Sequence, residues 1–423
     1  MALDILIVGS GGREHALAWK IAQSPRAGKI YIAPGNGGTR EIGENVPIQA
    51  TDALELAKFA SEKNIGLTIV GPEEALAVGI VDIFRSRGLR IFGPTKAAAQ
   101  IETSKSFAKQ MMRDAHIPTP AFIVAHTIDE AVGNIRRMKP PYVIKASGLA
   151  SGKGVSVCNS IEEAQEMAQK IMVERIYGDA GNELVIEEFA DGAEISIHTF
   201  TDGRNYVTFP PSQDHKHIGE NDTGKNTGGM GVITPLPWVM PEAVVGIEQH
   251  VVKPILEALA MRDTPFTGLL YPGIVMQEEG PTVLEFNARF GDPEAQVYMR
   301  LLKSDLLDLI EGCIDGGLTP AGLKWNWGFA VTVVLASGGY PDEFKVDLPI
   351  QGIDLAERMN DVVVFHMGTP SDGDNRTRGG RVLGVSALGS TLQDALNRAY
   401  AAAELIHFEG KYIRKDIGSS SLK

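Results

Sequence analysis

At 423 residues, 43% apolar and 22% charged, the chain reads as a globular protein too long for one core, and about three domains are expected. A net charge of −13 excludes a binder of nucleic-acid backbones, which needs a basic surface, and no apolar run approaches a membrane span, so neither nucleic acid nor membrane is expected as a partner. Cys158 and Cys313 are the only cysteines and the stretch before Gly9 is too short for a signal peptide, so a cytoplasmic location is expected.

Leu3-Asp-Ile-Leu-Ile-Val8 reads as a buried strand, followed by the turn Gly9-Ser-Gly-Gly-Arg-Glu14 and a helix over 14–23. Further short strands at 30–33, 67–70 and 90–92 each end in a Gly- or Pro-containing turn, and they alternate with helical segments at 53–63 and 76–87. That alternation predicts a doubly wound parallel sheet. The glycine turn is not a dinucleotide fingerprint, because Glu14 stands at the third glycine position and the second strand ends in Ala33-Pro34 without an acid. Backbone N–H groups at a helix start still suit an anion, so Gly11, Gly12 and Arg13 are candidates for substrate, with Asn36 and Gly37 beside them at the next strand's carboxyl end. A purely structural tight turn is the alternative.

One helix is expected over 96–115, stopped by His116-Ile-Pro-Thr-Pro120. Thr127-x-x-Glu130 and Ser160-x-x-Glu163 are capping boxes that open two more helices. Between those helices lie Tyr142-Val-Ile-Lys-Ala146, the segment Ser147-Gly-Leu-Ala-Ser-Gly-Lys-Gly154, and Val155-Ser-Val-Cys158. The glycine-rich segment is not a Walker loop, since Lys153 is followed by Gly154 and then a strand. It reads as a flap between two strands. Lys145 and Lys153 would meet nucleotide phosphates, and Gly148, Gly152 and Gly154 would let backbone amides approach; a plain glycine hairpin is the alternative.

Leu184-Val-Ile-Glu-Glu-Phe189 breaks at Ala190-Asp-Gly192 and resumes at Glu194, which exposes backbone groups of the kind an adenine edge needs. A long polar loop is expected over 212–231. In the strand 282–286, Glu285 and Asn287 share one face and offer hard oxygens to Mg²⁺. Strands at 329–335 and 381–387 and a helix over 392–406 close the chain, with glycine turns Ser337-Gly-Gly-Tyr-Pro341 and Gly379-Gly-Arg381 that read as structural, facing the substrate being the alternative.

Together these pieces resemble the ATP-grasp superfamily, and within it the glycinamide ribonucleotide synthetase family. The most specific matches are Ser212-Gln-Asp-His-Lys216, Asn226-Thr-Gly-Gly-Met-Gly231 and Arg289-Phe-Gly-Asp-Pro-Glu-x-Gln-Val297. The resemblance implies three units: an N-terminal substrate domain (1–103), an ATP-grasp domain (104–328, flap subdomain about 122–190) and a C-terminal α/β domain (329–423). It implies ATP-dependent ligation of glycine to 5-phosphoribosylamine through glycyl phosphate, an early step of purine synthesis, by a monomer or weak homodimer. ATP is then held by Lys105, Lys145, the flap residues Ser147, Gly148, Gly152, Lys153 and Gly154, and by Glu187, Glu188, Ala190 and Glu194, with adenine at Glu187 and the Ala190 backbone and ribose at Glu194. Glu285 and Asn287 hold Mg²⁺ or Mn²⁺. Arg289, Asp214 and Asp292 fall near the glycine and its acyl phosphate, and Lys216, Asn226, Thr227, Gly228 and Gly229 join the substrate site. The flap commonly begins Lys-Ala-Asp-Gly in this family, whereas here Ser147 replaces the acid. Rival readings are another carboxylate–amine ligase of the superfamily and a nucleotide sensor without turnover.

Overall fold

A computed structural model of the chain describes residues 2–150 and 152–422; Ser151, inside the expected flap, lies outside the described residues. The first sheet is parallel, in the order Glu44–Asn45, Ala27–Pro34, Leu3–Gly9, Leu67–Val70, Ile91–Phe92. The chain leaves Leu3–Gly9 toward one neighbour and later returns to the other. The carboxyl end of that central strand is therefore the topological switch point where open α/β sheets bind ligands.

Two helices expected as single rods are broken. The segment 76–87 divides into Glu73–Ala77 and Ile80–Ser86 at Gly79, whose φ of +83° suits glycine. The segment 96–115 divides into Lys96–Thr103 and Lys105–Asp114, because Ser104 is extended and its hydroxyl accepts from the Phe107 N–H. The break sets Lys105 at a helix start, and its N–H donates to the Ser147 carbonyl at 2.7 Å.

The flap subdomain is an antiparallel sheet in the order Phe122–Ala125, Leu184–Glu188, Tyr142–Ala146, Val155–Cys158. Helices Ile128–Ile135 and Ile161–Met172 cover it, opened by Thr127 and Ser160 as their capping pattern predicts. It keeps its own apolar core (Ile144, Ala164, Ile186), whereas Val8 of the first sheet and Val385 near the C-terminus share one continuous cluster. A subdomain with a separate core can move as a unit.

Behind the flap, Gly268–Gln277 pairs antiparallel with Ala193–Ser196, Thr199–Thr201 and Gly280–Asn287. The last sheet runs Gln213–Asp214, Gly231–Thr234, Phe329–Ala336, Arg381–Gly389, Val362–His366, all antiparallel, with helix Leu392–Leu405 packed against it. The stretch expected as a loop over 212–231 is thus largely ordered: its ends join the C-terminal sheet, and its middle forms a hairpin of His217–Gly219 with Thr223–Asn226. Among the described residues no helix is long and apolar enough to cross a membrane.

Candidate active site

The flap, the Gly280–Asn287 strand and the segment 213–228 enclose a cavity of about 820 Å³. One end is cationic. Lys145 rises from the flap strand, Lys109 from helix Lys105–Asp114, and both bind the Glu187 carboxylate, at 2.7 and 3.0 Å. All three are buried, so two cations share one anion in a dry setting and the cluster favours added negative charge. Burial, then Lys145, pulls the Lys109 ammonium down to about 8. Lys145 Nζ also reaches the Leu284 carbonyl at 3.3 Å, which fixes it to the strand that carries Glu285. Glu187 turns both carboxylate oxygens to these lysines. Beyond it, Met112, Val143, Val155 and Leu284 line an apolar slot beside Glu188, Phe189 and Ala190.

Glu285 and Asn287 stand two residues apart on one strand face, and both line the cavity. Opposite Glu285 on the neighbouring strand is Gly273, so no side chain crowds it. Burial pushes the Glu285 carboxyl up, but Lys216, Lys105 and Lys145 outweigh that and hold it below its ordinary value, ionised at neutral pH. Asn287 donates its amide N–H to the Tyr271 carbonyl at 3.4 Å, which leaves its Oδ1 for a cation. Among the described residues no group of three His, Cys, Asp or Glu converges. The pair therefore fits a hard cation that brings phosphate and water oxygens of its own, as Mg²⁺ does. Glu194 ion-pairs with Lys216, whose Nζ lies 4.0 Å from Glu285; those two acids raise the Lys216 ammonium against the effect of burial.

At the other end, Arg289 is gripped by Glu73 and Glu102, each at 2.9 Å. Glu102 also accepts from the Ala288 N–H at 2.7 Å. Burial drives the Glu102 carboxyl up to about 7, Arg289 opposing and Glu73 adding to the rise. Burial acts the same way on Glu73, but Arg289 and Arg13 outweigh it and bring Glu73 to about 2. Asp214 is half-buried; desolvation and then Glu294 push its carboxyl well above the usual carboxylate range, and its buried Oδ1 has no hydrogen-bond partner. Gly229 has φ +107°, and a Cβ there would lie 2.5 Å from that oxygen and 2.6 Å from Pro293 Cδ, so only glycine fits. Asp292 accepts from Gln296 Nε2 at 2.8 Å, and Arg381 and Arg13 hold it below its ordinary value although burial opposes them.

Of the residues singled out from the sequence, Lys105, Lys145, Gly152, Gly154, Glu187, Glu188, Ala190, Glu194, Asp214, Lys216, Asn226, Thr227, Gly228, Glu285, Asn287, Arg289 and Asp292 line the cavity. Ser147, Gly148, Lys153, Gly229 and the N-terminal set Gly11, Gly12, Arg13, Asn36 and Gly37 stand behind it. The Gly9–Arg13 turn is not an open anion cradle. The Glu14 carboxylate fills it, accepting from the Gly11 N–H at 2.6 Å and from Arg13 Nε at 2.6 Å. Asn36 is wholly buried; its amide donates to the Ser10, Gly11 and His366 carbonyls and accepts from the Gly38 and Thr39 N–H groups, leaving nothing for a ligand. Gly37 donates to Thr369 Oγ1 at 3.2 Å. The Ser147 hydroxyl accepts from the Ser106 N–H at 3.1 Å and donates to the Ser106 hydroxyl at 3.0 Å, so its hydrogen bonds run within the protein. Sequence reasoning gave no role to Lys109, Glu73, Glu102, Glu294 or Arg381, although Glu294 lies in the motif that begins at Arg289, Arg381 ends the turn 379–381, and Lys109 stands at i,i+4 from Lys105 on one helix face.

Three family models match in order: "Phosphoribosylglycinamide synthetase, N domain" over residues 3–102, its "ATP-grasp (A) domain" over 103–295, and its "C domain" over 330–420. The phosphoribosylamine–glycine ligase of Chlorobaculum tepidum is 46% identical over 425 residues, covering 99% of this chain and 100% of that one. That of Pasteurella multocida is 46% identical over 98% of this chain and 97% of its own. The crystal structure of the Thermotoga maritima phosphoribosylamine–glycine ligase superposes with a TM-score of 0.86 at 34% identity, covering 98% of this chain and 100% of that chain. A Campylobacter jejuni biotin carboxylase superposes with a TM-score of 0.76 at 13% identity, covering 100% and 96%, a likeness of fold alone. Matched along its length, and in order, by all three units of one enzyme, the chain belongs to the phosphoribosylglycinamide synthetase family, ligases built on the ATP-grasp fold.

Proposed function

We propose that this chain uses ATP to join glycine to 5-phosphoribosylamine, giving glycinamide ribonucleotide, ADP and phosphate in purine synthesis. A glycine carboxylate oxygen attacks the γ-phosphorus and the β–γ P–O bond breaks, leaving glycyl phosphate and ADP. The phosphoribosylamine nitrogen then attacks the acyl carbon, the C–O bond to phosphate breaks, and the nitrogen sheds a proton. Phosphoryl transfer asks a protein mainly for positioning and charge neutralisation. One observation carries the reading: a single cavity has a buried lysine pair at one end, Arg289 and Asp214 at the other, and Glu285 with Asn287 between them.

Lys105, Lys109 and Lys145 hold the polyphosphate, with Glu187 as their shared counter-ion. The slot at Val143, Met112 and Leu284 takes adenine against the backbone of Glu188 to Ala190, and the flap, through Gly152 and Gly154, covers the phosphates. Glu194 faces ribose once Lys216 turns toward phosphate. Glu285 and Asn287 would hold Mg²⁺, or Mn²⁺ on the same oxygens, and the ion would supply charge neutralisation for phosphoryl transfer. Arg289 binds the glycine carboxylate or its acyl phosphate, and Asp214, Asp292 and the Asn226–Gly229 loop position the acceptor. The N-terminal turn supports this end through Arg13. The cytoplasm, and a monomer or weak homodimer, remain part of the proposal. ADP release from the purified protein tests it: turnover should need glycine and phosphoribosylamine together, and release that is indifferent to glycine would overturn it.

A further inference from the structure

Two turns that read as structural in the sequence, 337–341 and 379–381, sit at paired strand ends, since Ala336 is opposite Arg381 in the C-terminal sheet. They are stitched to each other: the Ser337 N–H donates to the Gly380 carbonyl at 2.8 Å and the Ser337 hydroxyl to the Gly379 carbonyl at 2.9 Å. Gly380 must lack a side chain, because a Cβ there would lie 2.1 Å from the Tyr340 ring. The result is a fixed platform that presents Tyr340 and Arg381 to the back of the cavity wall.

Both residues grip one peptide unit region of that wall. The Gly228 N–H donates to the Tyr340 hydroxyl at 3.0 Å, and Arg381 Nη1 donates to the Gly228 carbonyl at 2.5 Å. The same Nη1 donates to the Asp292 carbonyl at 2.6 Å, and Nη2 lies 3.7 Å from Asp292 Oδ2. Gly228 and Asp292 line the cavity; Tyr340 and Arg381 do not. A Cβ on Gly228 would lie 2.8 Å from the Arg381 guanidinium carbon, so guanidinium and loop are in direct contact. The flap meets the same platform, Lys153 Nζ donating to the Pro341 carbonyl at 3.3 Å.

We infer that Tyr340 and Arg381 are positioning residues of the acceptor end, clamping the Gly228 loop and the Asp292 turn in register for glycine and phosphoribosylamine. The C-terminal sheet thereby acts on the reaction through two wall residues, Gly228 and Asp292. This inference rests on the function proposed above. A guanidinium with several simultaneous acceptors and a hydroxyl on one peptide N–H fix a loop far more tightly than its glycines could alone.

Steady-state ADP release, varying each substrate in turn, tests it on the wild type, Tyr340→Phe, Arg381→Lys and the control Lys345→Ala, an exposed residue that pairs with the exposed Glu409. Tyr340→Phe should raise KM for glycine or phosphoribosylamine roughly tenfold, the effect of one hydrogen bond, and Arg381→Lys should do more. Binding of a non-hydrolysable ATP analogue and the melting temperature of Tyr340→Phe should match the wild type, as should all constants of Lys345→Ala. Unchanged acceptor KM values in a folded Tyr340→Phe overturn the clamp, as does an equal loss of ATP-analogue affinity, which would assign the platform to flap docking. Should Arg381→Lys not fold, Tyr340→Phe, lacking a single oxygen atom, decides alone. A wild type that makes no ligated product with both acceptors present overturns the proposed function and the clamp with it, an outcome read before any variant is compared.

Discussion

The two ends of the cavity solve the same problem, a cation held out of water, by opposite construction. At the nucleotide end, Lys109, Glu187 and Lys145 come from elements within residues 105–188, and one carboxylate serves two ammonium groups. At the acceptor end, Arg289 is served by two carboxylates, Glu73 and Glu102, drawn from the first hundred residues or so, while Arg381 reaches in from the last sheet. The first end is short of anions, which favours added negative charge. The second has its cation fully compensated and rigid, which suits orientation of a small carboxylate more than capture of a polyanion.

Removal of the metal pair should abolish the contrast altogether. Glu285→Ala is expected to lower ligation by ~10³-fold or more with circular dichroism unchanged, since the electrostatic stabilisation between the ends is lost; near-normal turnover would refute the metal assignment. The next largest effect concerns stability at the nucleotide end. Glu187→Gln leaves two buried ammonium groups without their shared counter-ion and should cost ~3–5 kcal/mol in urea unfolding, with ATP affinity changed and glycine KM spared. At the doubly served end a single loss should be milder: Glu73→Gln leaves Glu102 on Arg289, and acceptor KM should rise only ~10-fold while ATP KM stays put. A drop as large as that for Glu187→Gln would erase the asymmetry.

The finest test is pH. Below about 7, Glu102 takes a proton and Arg289 loses one of its two charged partners, so kcat/KM for the acceptors should fall on the acid side, a limb that Glu102→Gln removes. Stability should move the other way. Because the folded-state value lies above the ordinary 4.5, the stability linked to Glu102 is complete below 4.5 and lost as pH rises through about 7. Thermal melts of wild type and Glu102→Gln across that window check the sign.

Much of this was legible in the chain. The strand carrying Glu285 and Asn287 has a side-chain period of two, so a shared face follows from spacing alone. The flap shows itself through glycines flanked by strands, and the helices at Ile128–Ile135 and Ile161–Met172 through Thr127 and Ser160. What failed had identifiable causes. The 96–115 helix looked continuous because its break lies in the extended backbone of Ser104, a residue that also passes as ordinary helix surface. Asn36 and the Gly9–Arg13 turn looked like ligand groups because polar residues near glycines do so in any sequence; whether a neighbour such as Glu14 already fills the turn is a tertiary fact.

The sequence by itself determined the local geometry: that Glu285 and Asn287 share a strand face, that a glycine-rich segment joins two strands, and, through motif resemblance, which reaction class is at work. Those features depend on residues within one or two turns of each other. Tertiary structure alone decided the partners of the charges. Arg289 meets Glu73 across 216 positions, and Arg381 meets the Gly228 carbonyl across 153. No periodicity encodes such pairs, because burial makes a lone charge costly, and the fold chooses which distant opposite charge relieves it.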